Sequence, residues 1–408
     1  MSDGPAPRRV SAAELRAFLL DRLGLRGPLW RGGEAPDAAR ALGMWQIDSI
    51  RVTGLRNQEL AWAARAESAP SEFHDLLYRQ SAFRETLYPL FAVRRDWLPM
   101  ILASFEDFRP QHRARRRRYL PLMRELTDRI RAGGPVTVAD FDGKRVVGGF
   151  NTVKKTTQAL DYLFYDRAIQ IVGRTPNFHR VFDLTERSDP HLKDWEPPET
   201  DAHERFLIES ALAVLKCGTA GQIADRAMLH YGQWRGAGIG RFRTLAAARL
   251  PELARAVAVA DLPDSPIYWY LPADETGWDR AARAAPPLLR AVPPLDQLLF
   301  SRKRFSQLFG FDYKFEAYTP ADKRRFYFAM PLLLDGEVVG LVDAKLDRNG
   351  GKPTWQIAGL DLLKPVPPDI LRQGLHRLAA IAGAGQVNVI ARAPRAIKTA
   401  VNGPVKRS

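Results

Sequence analysis

A chain of 408 residues with 46% hydrophobic composition is long enough for about two to four packed domains and too apolar for global disorder. Its 61 Lys plus Arg against 46 Asp plus Glu give a net charge of +15, which favours a polyanionic partner, nucleic acid first, over a neutral metabolite. The single cysteine, Cys217, excludes an intrachain disulfide and a Cys-rich zinc site, and no run of 18 apolar residues suggests a membrane span.

Ser11 followed by Glu14 predicts a capping box and a helix through about Leu23. The charges inside that amphipathic helix distinguish it from a signal-peptide core, so a cytoplasmic, nucleoid-associated protein is expected. A helix over about Pro36 to Leu42 then leads into "MWQIDSIRV", residues 44 to 52, a strand-like run carrying Gln46 and Asp48 two positions apart. On a helix such residues diverge by about 200°, whereas on a strand they share a face. Trp45 and Ile47 then pack inward, with Gln46, Asp48 and Ile50 on the other side. That polar face is either an ordinary hydrated strand face or a site. Beside a basic DNA-binding surface, the amide can hold a water or a sugar oxygen. The carboxylate can accept that water's proton or stabilise positive charge developing on a deoxyribose.

"LRNQELAWAARA" and "SEFHDLLYRQ" follow with helical spacing, giving residues 1–118 a winged-helix order of elements. This segment closes on "RPQHRARRRR", residues 109–118, with Arg115, Arg116, Arg117 and Arg118 at its end. The run is either a solvated face or a phosphate contact.

Residues 119–195 read as a second winged helix. A helix ends at Gly133 and Gly134, "TVADF" opens a short one, and "NTVKKTTQALDYLFYDRAIQIV" is a long helix running into a strand. "RVFDLTE" is the other wing strand, reached through "GRTPNFH" with Arg174 and Arg180 at its margins. Lys154 and Lys155, near the start of the third helix, are candidate DNA contacts or merely solvated.

A Pro-rich, charged linker introduces residues 201–275, a plausible third copy in which "RFRTLAAARLPELARAV" is a helix interrupted at Pro251 and "SPIYWYLP" is a strand. The "GAGIGR" at 236–241 has the wrong spacing and context for a nucleotide loop. Residues 286–408 differ in kind. "DGE" and "RNGG" turns between strand-like runs predict an antiparallel β domain with a tail. Two basic triplets, Arg302, Lys303 and Arg304, then Lys323, Arg324 and Arg325, flank "LFGFDYKFEAYTP", whose alternating aromatics read as strand core. No HExxH or ligand-spaced histidine pair occurs, so no metal and no cofactor are expected.

"QIDSI", "NFHRVFDLTER" and the block from "PLDQLLFSRKRF" to "LVDAKLDR" resemble the winged-helix crosslink-repair DNA glycosylase family, the YcaQ/AlkX and AlkZ-like group, in its Gln-x-Asp branch. The similarity spans roughly residues 10 to 360. It implies an α+β fold of three tandem winged helices and a C-terminal β domain around a basic channel for duplex DNA. It also implies hydrolysis of the N-glycosidic bond of N7-alkylguanine, including unhooking of interstrand crosslinks, with Gln46 and Asp48 as the catalytic pair. Members of that branch carry paired histidines shortly after the motif, where this chain has Arg56, Asn57 and Gln58. They also carry a Tyr-Trp-Ala-His-type stretch where this chain reads "TLYPLFA". With the histidines absent, Arg56 is a candidate DNA contact.

The alternative is a noncatalytic winged-helix DNA-binding protein, a regulator or lesion binder. No lysine stands out as a Schiff-base nucleophile, so an abasic product without strand cleavage is expected. A monomer is expected because no coiled coil or exposed apolar repeat suggests an interface.

Overall fold

The computed structural model describes residues 6–405 apart from 81, 88–89, 105–114, 142–144, 149–150, 193, 232–237 and 350. Strand β1 (Arg8–Val10) leads into the helix Ala12–Arg22, whose capping box forms as its spacing predicts. Glu14 N donates to Ser11 Oγ at 3.2 Å and Ser11 N to Glu14 Oε2 at 2.7 Å. The helix Glu34–Ala41 delivers the chain to β2 (Met44–Gln46), and the helices Asn57–Ala63 and Pro70–His74 precede the antiparallel pair β3 (Phe83–Glu85) and β4 (Phe91–Arg94).

The helix Leu120–Gly133 ends at Gly134, whose φ of 87° suits glycine and strains any other residue. After β5 (Val136–Thr137) the chain makes β6 (Arg145–Gly148) and β7 (Asn151–Lys154), an antiparallel ladder, and only then the helix Lys155–Tyr165. The single long helix expected from Asn151 is therefore corrected. Thr152 and Val153 are β-branched and take the extended conformation, so the helix starts at Lys155. Strands β8 (Ile169–Arg174) and β9 (Arg180–Leu184) complete this segment.

Three helices follow, Thr200–Leu215, Ala220–Tyr231 and Ile239–Leu253, then β10 (Arg255–Val259) and β11 (Ile267–Tyr270). The last helix runs through Pro251 instead of being interrupted there. A proline in the final turn removes little of the ladder, and Leu250 and Phe242 are buried on its inner face.

Strand pairing crosses the segment boundaries read from the sequence. One six-stranded sheet has the order β2-β4-β3-β8-β9-β5, with Glu85 opposite Ile171, so the first and second segments share a sheet. Strand β1 pairs in parallel with β10, tying the N-terminus to the third segment. The last sheet runs β12 (Arg290–Ala291), β13 (Met330–Leu334), β14 (Glu337–Asp347), β15 (Thr354–Leu362), β16 (Gln386–Val389), β17 (Gly403–Pro404). It is mixed, not purely antiparallel as expected. The helix Pro368–Ile381 carries the chain back across the sheet, so β16 lies parallel to β15. Residues 311–329 form neither helix nor strand, which corrects the strand reading of the "FGFDYKF" aromatics. Their packing role holds, since Tyr313 is buried and donates its hydroxyl to Ala329 O at 2.6 Å.

The C-terminal sheet and its approach loop grip the segment that carries Gln46 and Asp48. Arg65 and Asp296, each 1% exposed, form a two-pronged ion pair at 2.7 and 2.9 Å. Trp355 Nε1 donates to Thr53 O at 3.0 Å, and Gln297 Nε2 donates to Leu42 O at 2.8 Å. Breaking one partner of a buried pair such as Arg65–Asp296 costs about 3–5 kcal/mol, so this junction is rigid.

Candidate active site

Strand β2 ends at Gln46. Trp45 and Ile47 are buried as predicted, and Ile47 N continues the pairing by donating to Leu90 O at 2.9 Å. Asp48 lies past the strand, held as a turn. Its main-chain N donates to Gln58 Oε1 at 3.0 Å, and its Oδ1 accepts from Ile50 N at 2.7 Å. Gln46 is half-buried, and its carbonyl accepts from Asn57 Nδ2 at 3.2 Å. Asn57 also bridges to Leu295, donating to its carbonyl at 3.3 Å and accepting from its N–H at 3.0 Å. Asn57 and Gln58 are each 1% exposed. They fix the backbone of the motif from behind.

Asp48 opens onto a cleft of about 590 Å³ shared with Ser49, Ile50 and Leu90 from its own segment. The far wall comes from the second segment: Thr157 and Asp161 on the helix Lys155–Tyr165, and Arg174, Phe178, His179 and Arg180 from the wing. Tyr318 closes the rim from the C-terminal region. Gln46 is not among the lining residues, and the strand alternation expected to place it beside Asp48 does not extend to Asp48. The strand stops one residue too early for that alternation.

Two carboxylates face this space, and both are harder to ionise than usual. Burial raises Asp48 above the ordinary aspartate range against the bond from Ile50 N. Burial raises Asp161 to about 6, partly offset by Arg180. Arg180 is itself pulled down by burial and by Arg174, and its Nε is buried without a hydrogen-bond partner among the described residues. Arg174 is committed elsewhere. It forks onto Glu85 at 2.6–3.1 Å and donates to Phe178 O at 2.8 Å. The guanidinium groups of Arg174, at 4.4 Å, and of Arg56, at 4.1 Å, both lie over the Phe178 ring. An anionic group beside cations in a semi-enclosed cleft can stabilise a developing cation and direct a water at it.

The family model for DNA glycosylase AlkZ-like proteins matches residues 39–380. The chain belongs to the AlkZ-like DNA glycosylase family. That span contains Asp48 and all of the cleft walls. Among solved structures, the Streptomyces sahachiroi DNA glycosylase AlkZ is similar with a TM-score of 0.57, covering 94% of this chain and 100% of that one. At 16% identity this likeness speaks to the fold.

The remaining predicted cations divide into outward and structural ones. Lys155, Lys303 and Lys323 are exposed, as are Arg115, Arg117 and Arg118, the last over the Tyr119 ring. Arg109 and Arg113 of the basic run lie outside the described residues. Arg116 pairs with Asp166 at 2.9 Å, Lys154 Nζ donates to Phe141 O at 3.0 Å, and Arg325, although exposed, pairs with Asp361 at 2.7 Å. Arg324 stacks on Tyr327, and Arg302 stacks on Tyr313 while donating to Pro294 O.

Arg304 is a correction. It is 0% exposed and serves the carbonyls of Leu215, Cys217, Gln297 and Leu298, so it cannot meet a phosphate. A guanidinium with five fixed donors can satisfy a ring of carbonyls where the chain turns back on itself, a use that leaves no mark on local sequence. Arg56 and Arg174, read as DNA contacts, spend their charge on Glu59, at 3.1 Å, and on Glu85.

Asp161, Phe178 and Tyr318 went unnoticed in the sequence. Thr157 and Asp161 stand four apart on one helix face, a polar pair in an apolar helix, and that spacing was the available signal. Among the described residues no cluster of three or more His, Cys, Asp or Glu is placed to hold a metal, and no helix is long and apolar enough to cross a membrane.

Proposed function

We propose that this protein is a monofunctional DNA glycosylase that hydrolyses the N-glycosidic bond of N7-alkylguanine in duplex DNA, including guanines joined in interstrand crosslinks. The observation that carries this reading is Asp48, a half-buried carboxylate whose backbone is pinned by Gln58 at the wall of a cleft lined by Arg174 and Arg180. An N7-alkylated guanine is already cationic, so its departure needs no proton. The sugar left behind carries oxocarbenium character, and a fixed carboxylate stabilises it more than it stabilises the neutral-sugar ground state. Asp48 accepts a proton from the attacking water, and Gln46, two residues earlier and outside the cleft lining, fixes the segment that presents the carboxylate through its carbonyl, held by Asn57.

Three helices followed by a hairpin make up residues 201–275, and residues 119–195 carry the helices Leu120–Gly133 and Lys155–Tyr165, with β5, β6 and β7 between them, and then the β8–β9 hairpin. Both orders support a winged-helix scaffold, with residues 1–118 as its first copy. The exposed cations Lys155, Lys303 and Lys323 hold the duplex by its backbone without reading sequence, as a lesion scanner requires. A cleft whose walls come from two segments of the chain, in place of a pocket closed within one, suits a crosslinked base that cannot swing free of the duplex.

The test is a duplex carrying either N7-methylguanine or a nitrogen-mustard crosslink, incubated with the protein and analysed for free base and for separated strands. Base release with intact abasic strands, and no covalent adduct on borohydride reduction, is expected. Tight binding to both duplexes without release refutes the reading in favour of a lesion binder.

A further inference from the structure

Among the described residues Tyr318 is 82% exposed, while the next large apolar side chain, Ile390, is 51% exposed. Held this fully in water at a cleft that Asp48 lines, the ring has its face free to meet a ligand. Its mounting is firm. Phe315 packs edge-on against both Tyr318, at 6.0 Å, and the buried Phe328, at 5.8 Å. Thr319 N donates to Glu316 O at 2.9 Å, and Glu316 Oε2 accepts from Arg325 N and Phe326 N at 3.1 and 3.3 Å.

The ring lines the same cleft as Asp48, and exposed Lys314 and Lys323 stand on either side of it in the chain. A tyrosine phenol is neutral near pH 7, so the ring meets a polyanion without charge repulsion. Neutral ring, basic flank and adjacency to the carboxylate are what a nucleobase platform requires, since every base offers a π-face.

We propose that Tyr318 stacks on a nucleobase at the mouth of the Asp48 cleft, beside the nucleotide whose glycosidic bond is attacked. The inference rests on the glycosylase reading for the identity of its partner, duplex DNA. With a monoadduct, which unlike a crosslinked base can leave the stack, the ring fills the space opened when the nucleotide is drawn toward Asp48, and the duplex cannot close back over the lesion. Only the ring is needed, so the hydroxyl is dispensable.

The experiment uses the full chain as wild type, Tyr318→Phe and Tyr318→Ala. The DNA is a duplex with 2-aminopurine next to either N7-methylguanine or a stable abasic analogue. Because the side chain is exposed, all three proteins should melt together. Wild type and Tyr318→Phe should change the 2-aminopurine fluorescence on binding either duplex. Tyr318→Ala should lose that change and lose roughly 5- to 150-fold in affinity for the abasic duplex. An unchanged fluorescence response in Tyr318→Ala, or a Phe variant as defective as Ala, overturns the proposal. The abasic duplex needs no catalysis. Ring-dependent fluorescence without base release from N7-methylguanine would sink the glycosylase reading alone. Base release with no ring dependence would sink the stacking proposal alone.

Discussion

Replacing Asp161 by Asn should make the protein more stable, and by an amount that depends on pH. The side chain faces the cleft from the helix Lys155–Tyr165, and burial lifts its pKa from 3.8 to about 6 even with Arg180 nearby. An acid harder to ionise in the folded state than in the unfolded chain binds more protons folded, so folding stability falls as pH rises from about 4 to about 6. The full rise corresponds to about 3 kcal/mol, and water in an open cleft reduces this to about 1–3 kcal/mol. Asn removes the cost. Urea denaturation of wild type and Asp161→Asn should show the variant more stable by that amount at pH 7.5, with about half the gain left at pH 5. A pH-independent difference, or a less stable variant, would refute the argument that Asp161 is held in the cleft at the expense of stability. Strained or desolvated carboxylates of this kind concentrate where chemistry is done.

Gln58→Ala removes the acceptor of the Asp48 N–H, so base release should fall by about tenfold while affinity for the alkylated duplex stays within about twofold, as single-turnover kinetics and binding titration would show. Arg304→Ala leaves the carbonyls of Leu215, Cys217, Gln297 and Leu298 unserved and should cost about 3–5 kcal/mol in urea denaturation. A surface residue would cost under about 0.5. The double change Lys303→Ala with Lys323→Ala should weaken binding to any duplex and flatten the dependence of log affinity on log salt by about 1–2. An unchanged slope would remove both from the interface. Because burial makes Asp48 hold its proton to higher pH, the acid limb of the release rate should lie above the ordinary aspartate range. It should vanish from the residual activity of Asp48→Asn.

Local patterns were legible. The Ser11–Glu14 box, the Gly134 terminus and the β13–β14–β15 meander each rest on residues close together in the chain, where capping, positive φ and turn chemistry decide the outcome. What was not legible depends on distant partners. Strand Asn151–Lys154 resembles the start of a helix until Arg145–Gly148 pairs with it. Arg304 looks like its outward neighbour Lys303 until carbonyls from residues 215 and 217 surround it. In the site, the Gln46–Asp48 spacing marked the right segment, yet β2 ends at Gln46 and only Asp48 lines the cleft. The far wall, Asp161 with Phe178 under the Arg174 and Arg56 guanidinium groups, comes from a different part of the chain that the shared six-stranded sheet brings alongside.

The central claim is that Asp48 performs glycosidic hydrolysis. The most direct measurement is single-turnover release of N7-methylguanine from a saturated duplex by wild type and by Asp48→Asn, with DNA affinity measured alongside. The account predicts release by wild type and a loss of roughly 100-fold or more in Asp48→Asn at unchanged affinity. Equal release by the two proteins, or none by wild type bound to the duplex, would contradict it.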